Sequence, residues 1–271
     1  MGCSQGIYAA APPHVVGQIV WVKGVVEASN PAHPAKRVLQ RRSAVYEKDT
    51  IVTSASGSAQ IVFTDKSVVA LRPATTFRID QYQFNHGASH NAYQSSLIKG
   101  GFRTITGFIS KSNPDHYHVR TPVATIGIRG TEFTIAYSHS KGLAASLVKG
   151  AIVIANEVGQ VELNAAKDRV YAEISGLRKM PEVKHTPSSM LKGQPAITTV
   201  PANLPSPIPI GASSTVAPSS SPPTSTVSSS EGDTHITSTD TGSTTTTESS
   251  VSVEAPSSSS SPRSVTDFCI N

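Results

Sequence analysis

Two cysteines in 271 residues, Cys3 and Cys269, stand at opposite ends of the chain. That placement excludes a disulfide framework and the spacing of a cysteine metal site, while a cysteine-free centre is compatible with an oxidising compartment. Aromatic residues make up 6% of the chain and charged residues 15%, both low for a globular protein. No window approaches the ~18 uncharged apolar residues of a membrane-spanning helix. Glycine and proline, 19 of each, interrupt every heptad and exclude a coiled coil. Nucleophile elbow, phosphate-cradling loop and H-E-x-x-H are all missing. The reading is therefore of a non-enzymatic protein with no cofactor.

Serine, threonine and proline fill the gap, and they are unevenly placed. Residues 196–271 hold 21 Ser, 14 Thr and 9 Pro, a composition that cannot bury enough apolar surface to offset the entropy of ordering. This segment is expected to be a disordered low-complexity tail, joined by a linker over 176–195 to a single domain over 15–175. Charge divides along the same line. Residues 1–195 carry 22 Lys and Arg against 12 Asp and Glu, whereas 196–271 carry 1 against 6. A basic domain with an acidic tail suits nucleic acid or another polyanion, but the basic residues are scattered, with one local cluster at Lys36, Arg37, Arg41 and Arg42. Scatter argues against nucleic acid as the partner and leaves polyanion binding as the alternative reading.

Residues 1–14 have neither a basic start nor an apolar stretch, so they are not a complete secretory signal. Ile7 to Ala11 nevertheless resemble the end of one, and Pro12-Pro13 suit the start of a mature domain. The expectation is an exported protein, periplasmic or secreted, whose signal begins upstream of Met1.

From 15 to 175 the pattern is strand after strand. Ala59, Ile61 and Phe63 alternate with Gln60, Val62 and Thr64, the period of a half-buried strand. Phe77 and Ile79 repeat the beat, as do Phe133, Ile135 and Tyr137. Ala151 to Ile154 is a short apolar run, expected to be covered on both faces. Turn signals such as Asn30-Pro31, Ser56-Gly57, Asn113-Pro114-Asp115 and Lys149-Gly150 recur about every ten residues, as in all-β domains. Leu97 to Ile109 could face one side of a helix, but Gly100, Gly101 and Gly107 make that costly, and short strands are expected. The fold class is all-β. A β-solenoid with Ala59, Val68, Ala70, Ala124 and Ala151 in a narrow interior satisfies the periodicity, and so does a β-sandwich.

Val45 to Thr53, Gly57 to Phe63 and Asp65 to Leu71 are followed by Thr121-Pro122-Val123-Ala124-Thr125-Ile126-Gly127-Ile128-Arg129-Gly130-Thr131-Glu132-Phe133. Leu147 to Ile154 and Gly159 to Leu163 come after. That order resembles the FecR domain family, whose most specific signature is the Thr-Pro strand ending in Arg-Gly-Thr-x-Phe. The resemblance covers about residues 15–175 and implies an exported, β-rich, solenoid-like domain. In the family's founding anti-sigma regulators that domain senses an outer-membrane receptor across the periplasm. The likeness here is to free-standing FecR-domain proteins, without the helical segment and transmembrane helix of those regulators. Lys48 and Lys66 stand where the family often has Gly, so those two turns are expected to differ in shape.

Within the signature, Pro122 lacks an N–H and suits a strand start or edge. Gly127 and Gly130 leave room for close backbone approach or positive φ. Arg129 is either a ligand-binding cation or a pin whose guanidinium hydrogen-bonds carbonyls or a carboxylate, and the pin is the expected role. Asp49, Asp65 and Asp80 are its candidate partners. Phe133 is expected to anchor the next strand, and Thr121 and Thr131 complete the binding or structural signature. His116 and His118, two apart on a strand, could chelate a metal with help from His86 or His90, but a polar strand face explains them as well, and no metal site is assigned. The expected partner is an envelope protein or polymer.

Overall fold

In the computed structural model, residues 14–87, 90–193, 196–198 and 205–208 are described, the side chain of Pro34 excepted. Two units divide the chain, Met1–Thr215 and Val216–Asn271. The second lies outside the described residues, as do Cys3, Cys269, residues 1–13 of the N-terminal arm and most of the expected tail.

The first unit is built from strands β1 (Val15–Lys23), β2 (Val26–Asn30), β3 (His33–Val38), β4 (Ala44–Tyr46), β5 (Thr50–Thr53), β6 (Ser58–Phe63), β7 (Val68–Leu71), β8 (Thr76–Gln83), β9 (Ala92–Ile105), β10 (Tyr117–Arg120), β11 (Thr125–Ser138), β12 (Gly142–Ala155), β13 (Gln160–Asn164), β14 (Tyr171–Ile174) and β15 (Glu182–Lys184). One turn of helix, α1 (Ile109–Ser112), follows β9. The all-β assignment holds. The strands join one network in the order β15-β14-β12-β11-β10-β9-β7-β6-β1-β4, with β13 on β12 and with β2, β3, β5 and β8 branching toward β9. Every pairing is antiparallel except β9–β10. The strands thus form one open mixed sheet around an apolar interior, not a stack of short solenoid rungs.

Three long strands make this possible by changing partners midway. Thr125 to Arg129 of β11 pair with β12, and Thr125 to Gly127 also pair with β10; Glu132 to Tyr137 pair with β9. The change falls at Gly130, whose φ is +54°, opposite Gly150 at +86°. A Cβ on Gly150 would lie 2.5 Å from the Gly130 carbonyl oxygen, so the two strands bend together only where both lack side chains. Ile126 and Ile128 before the bend and Phe133 and Ile135 after it all face the same core. Phe133 is the expected anchor: it has no exposed surface and its ring meets Phe102, which meets Phe77. A second aromatic group, Phe63, Tyr82, Tyr93 and Tyr117, fills the interior beneath β6, β8, β9 and β10.

Several expectations are corrected. Leu97 to Ile105 belong to one 14-residue strand, and Ile109 is helical. Ala151 to Ile154 are not covered on both faces: Ile152 and Ile154 are buried, Ala151 is half-buried and Val153 is exposed, because only one face of β12 meets the core. Lys48 and Lys66 both adopt φ of +68°, the left-handed conformation a glycine would take. Those turns keep that shape because buried carboxylates hold them. Asp49 accepts from the Tyr46 N–H at 2.9 Å, and Asp65 accepts from the Ser67 N–H at 3.0 Å and the Ser67 hydroxyl at 2.6 Å.

The expected linker is part of the domain through residue 193. β15 pairs with β14, Leu191 is buried beside Ala136 and Ala144, and the Arg72 guanidinium donates to the carbonyls of Met190 and Lys192 at 2.6 and 2.8 Å. Even the first residues of the expected tail are held. Thr198 pairs with the Gln60 side chain, and Ile208 forms a parallel bridge with Ser43.

Candidate functional site

The Thr-Pro-Val-Ala part of the signature is a turn, and the strand begins only at Thr125. Thr121 closes the turn: its N–H and hydroxyl both donate to the Ala124 carbonyl, at 2.8 and 2.9 Å, and its Oγ1 accepts from the Ala124 N–H at 3.1 Å. Pro122 is exposed at the tip, where a missing N–H leaves no ladder bond unmade. At the other end, Thr131 ties β11 to the residue after β9. The Thr131 N–H donates to Thr106 Oγ1 at 2.8 Å, and the Thr106 N–H and hydroxyl both donate to the Thr131 carbonyl. These residues are structural.

Between them, pairing registers place β10, β11, β12 and β13 side by side. His118 stands opposite Gly127, Gly127 opposite Val153, and Val153 opposite Glu162. Two residues along, Arg129 stands opposite Ala151 and Ala151 opposite Asn164. Residues opposite one another share a face, and this is the outer one, since Val119, Ile126, Ile128, Ile152, Ile154 and Leu163 point into the core. Small residues, Gly127 and Ala151, run down the middle. Taller polar ones, His118 and Arg129 on one side and Glu162 on the other, form the walls, and Asn164 donates to Glu162. The result is a trough of about 440 Å³ that Asp115 and Pro114 close at one end.

Arg129 is exposed and no carboxylate among the described residues lies within 4.0 Å of it. The expected pin is therefore corrected. Asp49 is taken by Arg37 and Asn30, Asp65 by Ser67 and Tyr82, and Asp80 by Arg78 and Ser96, all before the chain reaches Arg129. Across the trough, Glu162 is held below the usual carboxylate range, first by the hydrogen bond from Asn164 and then by Lys167, with smaller help from Arg169 and Arg129. His118 Nδ1 is buried without a hydrogen-bond partner among the described residues. Gly127 is not required by crowding: a Cβ there would meet only His118 Nδ1, at 3.9 Å. What its small size leaves is the floor of the trough. His116 and His118 meet no third ligand among the described residues.

Sequence reasoning named Gly127 and Arg129 but not the wall across from them. Glu162 and Asn164 lie more than thirty residues on and join the site only through the register of β12 and β13. The basic cluster comes apart in the fold. Arg37 is spent on Asp49 and on the Tyr46 ring, Arg42 donates to the Ser206 carbonyl, and Lys36 lies 3.8 Å from Glu27.

Residues 49–153, from the Asp49 turn to the middle of β12, match the family described as FecR protein. Over this stretch the chain is similar to FecR domains. Two crystal structures from Parabacteroides distasonis, each described as an anti-sigma factor, are similar in part. They are 17% and 16% identical over 49% of this chain and 57% of theirs, with TM-scores of 0.39 and 0.38. The chain thus spans less than two thirds of their length. No curated protein matches it. No helix among the described residues is long and apolar enough to cross a membrane.

Proposed function

We propose that this chain is a non-enzymatic, exported FecR-domain protein that binds an envelope protein or polymer across the outer face of β10 to β13. The observation that carries the reading is Arg129, an exposed guanidinium in the Arg-Gly-Thr signature, at the wall of a polar trough and without an ion-pair partner among the described residues. A residue needed only for stability would be buried against a partner. The acidic wall at Glu162 and Asp115 gives the trough charges of both signs, which suits a polar surface or an extended chain more than a uniform polyanion. The dispersal of Lys36, Arg37 and Arg42 removes the local patch on which polyanion binding would rest.

Two experiments test this. Fractionation of the native cell, with detection of the mature N-terminus, should place the protein outside the cytoplasm. Immobilised wild type should retain a component of the envelope fraction that Arg129→Ala does not, with both proteins melting alike. Equal retention by the two would overturn the site. Salt-labile retention on heparin equal to that on envelope material would favour the polyanion reading.

A further inference from the structure

A second recognition site lies on the other arm of the sheet, where the chain binds part of itself. β4 ends the strand order, so its outer side is an open edge. Edges of this kind present unpaired N–H and C=O groups that accept another strand. Arg42 has φ of +72°. Its N–H turns inward to the Ile19 carbonyl at 2.7 Å, while its C=O turns outward and accepts from the Ile208 N–H at 2.8 Å. The Ala44 N–H then donates to the Ile208 carbonyl at 3.1 Å, and Arg42 Nη2 to that of Ser206 at 3.3 Å. Some distance away the Gln60 amide clasps the backbone of Thr198 by both its groups, donating to its carbonyl at 2.9 Å and accepting from its N–H at 2.7 Å. Gln60 stands opposite Trp21 in the β1–β6 register, so both side chains face the same groove. That groove holds about 350 Å³ among Gln18, Val20, Trp21, Arg41 and Pro205.

Both clasps read main chain, not side chains. The segment they hold has a matching design: Pro205, Pro207 and Pro209 alternate with Ser206, Ile208 and Ile210. Alternate residues of an extended strand turn their backbone groups to the same side. Ser206 and Ile208 meet the Arg42–Ala44 edge, and the prolines, having no N–H, offer no donor on the opposite side. The strand can therefore pair with this sheet and donate to no further one. One polar group in the groove is left over. Gln18 is 7% exposed, and its side-chain oxygen has no hydrogen-bond partner among the described residues. An acceptor buried without a donor is costly, and a ligand bearing an N–H or O–H at that point would relieve it.

We propose that the groove between Gln60 and the Arg42–Ala44 edge is a receptor for an extended peptide with prolines at alternate positions, and that Thr198 and residues 205–208 engage it in cis. A partner segment of that chemistry, carrying a donor for Gln18, displaces them. Trp21 is the only tryptophan of the chain and lines the groove, so its fluorescence reports occupancy.

The test uses the full chain. Ile208→Pro removes the N–H given to Arg42 at a position outside the core, and Gln60→Met removes the Thr198 clasp while keeping side-chain volume. Both should shift Trp21 emission to the red without lowering the melting temperature. A synthetic peptide of sequence 196–210 should reverse the shift, and a fluorescein-labelled copy followed by anisotropy should half-saturate at a concentration about 10-fold lower for Ile208→Pro than for wild type, whose tethered segment competes at an effective concentration in the millimolar range. Unchanged emission in both variants would overturn the proposal, and so would a red shift that the peptide does not reverse. Concentration-dependent dimerisation of Ile208→Pro that the peptide fails to dissolve would also overturn it, since the edge would then accept a second copy of the sheet.

Discussion

Arg37 and Asp49 form the most enclosed ion pair among the described residues: Nη2 to Oδ2 is 2.6 Å, with the Asp49 side chain fully buried and that of Arg37 16% exposed. Asp49 also accepts from the Tyr46 N–H and the Asn30 amide, so one carboxylate organises the β4–β5 turn, the end of β2 and the β3 strand. Breaking such a pair leaves donors and a charge without partners, at a cost of about 3–5 kcal/mol. Asp49→Ala should therefore be among the most destabilising single changes, and Arg37→Ala should follow it. Lys184→Ala, which breaks the exposed pair with Glu182, should have no measurable effect. Urea denaturation of the three variants checks the order. A loss below about 1 kcal/mol for Asp49→Ala would show that the turn holds without it.

The turn at Lys66 makes the opposite kind of prediction. Its φ of +68° costs a residue with a Cβ about 1–2 kcal/mol, and its exposed side chain contributes nothing visible in return. Lys66→Gly relieves that strain but frees the unfolded chain, which takes back about 0.5–1 kcal/mol. A net gain of about 0.5 kcal/mol is expected, with none for Lys66→Ala. Lys48→Gly should gain less, because the Lys48 ammonium also bonds the Asp80 carbonyl. If Lys66→Ala stabilised as much as Lys66→Gly, backbone strain would not be the cause.

These two turns show where the sequence was readable and where it was not. Alternation at Ala59, Ile61 and Phe63 and at Phe133 and Ile135 identified core strands because period two is a local property. The carboxylates that hold Lys48 and Lys66 left-handed are also local, but their burial is not. It depends on Arg37 and on Tyr82, brought in from other strands. Arg129 was misjudged for the same reason in reverse: its candidate partners were already committed to neighbours the sequence does not pair with them. The hold on Thr198 and on residues 205–208 was hidden more deeply. Ser/Thr/Pro composition marks a segment poor in core-forming residues, yet Gln60 holds the Thr198 backbone and Arg42 the backbone at Ser206 and Ile208, each from more than a hundred residues away. Compositional reasoning cannot see an ordered strap whose order comes from someone else's core.

The floor of the trough yields a prediction that separates binding from stability. A Cβ at Gly127 finds open space, and strands favour β-branched residues. Gly127→Val should therefore leave stability unchanged or raise it by up to about 1 kcal/mol, while filling the space between Arg129 and Glu162. Gly101→Ala is the control, because its Cβ would lie 2.6 Å from the Ile135 carbonyl oxygen, and it should destabilise. Arg129→Ala should change stability by no more than about 0.5 kcal/mol. Thermal melts and envelope-fraction retention, measured together, check the set. A large loss of melting temperature in Arg129→Ala would restore the pin.

Alkaline unfolding should be steep, and the tyrosines of the interior say why. Burial raises the phenols of Tyr82, Tyr93 and Tyr117 above the ordinary tyrosine value of 10.0, and the Asp65 carboxylate adds to the rise in all three. In the unfolded chain the same phenols ionise near pH 10. Above that pH the unfolded state has released protons that the native state still holds, so stability falls as pH rises. Below pH 10 both states are protonated and the contribution of these phenols is fully present. Each group that stays protonated in the fold removes up to about 1.4 kcal/mol per pH unit above 10. Urea midpoints should therefore be level from pH 8 to 9.5 and drop sharply by pH 11, with the phenolate absorbance of these three appearing only on unfolding. Tyr117→Phe keeps the ring and removes one ionisable group, so it should flatten the decline by about a third. A single-stage titration of all the phenols near pH 10 in a chain that stays folded would refute this account of the core.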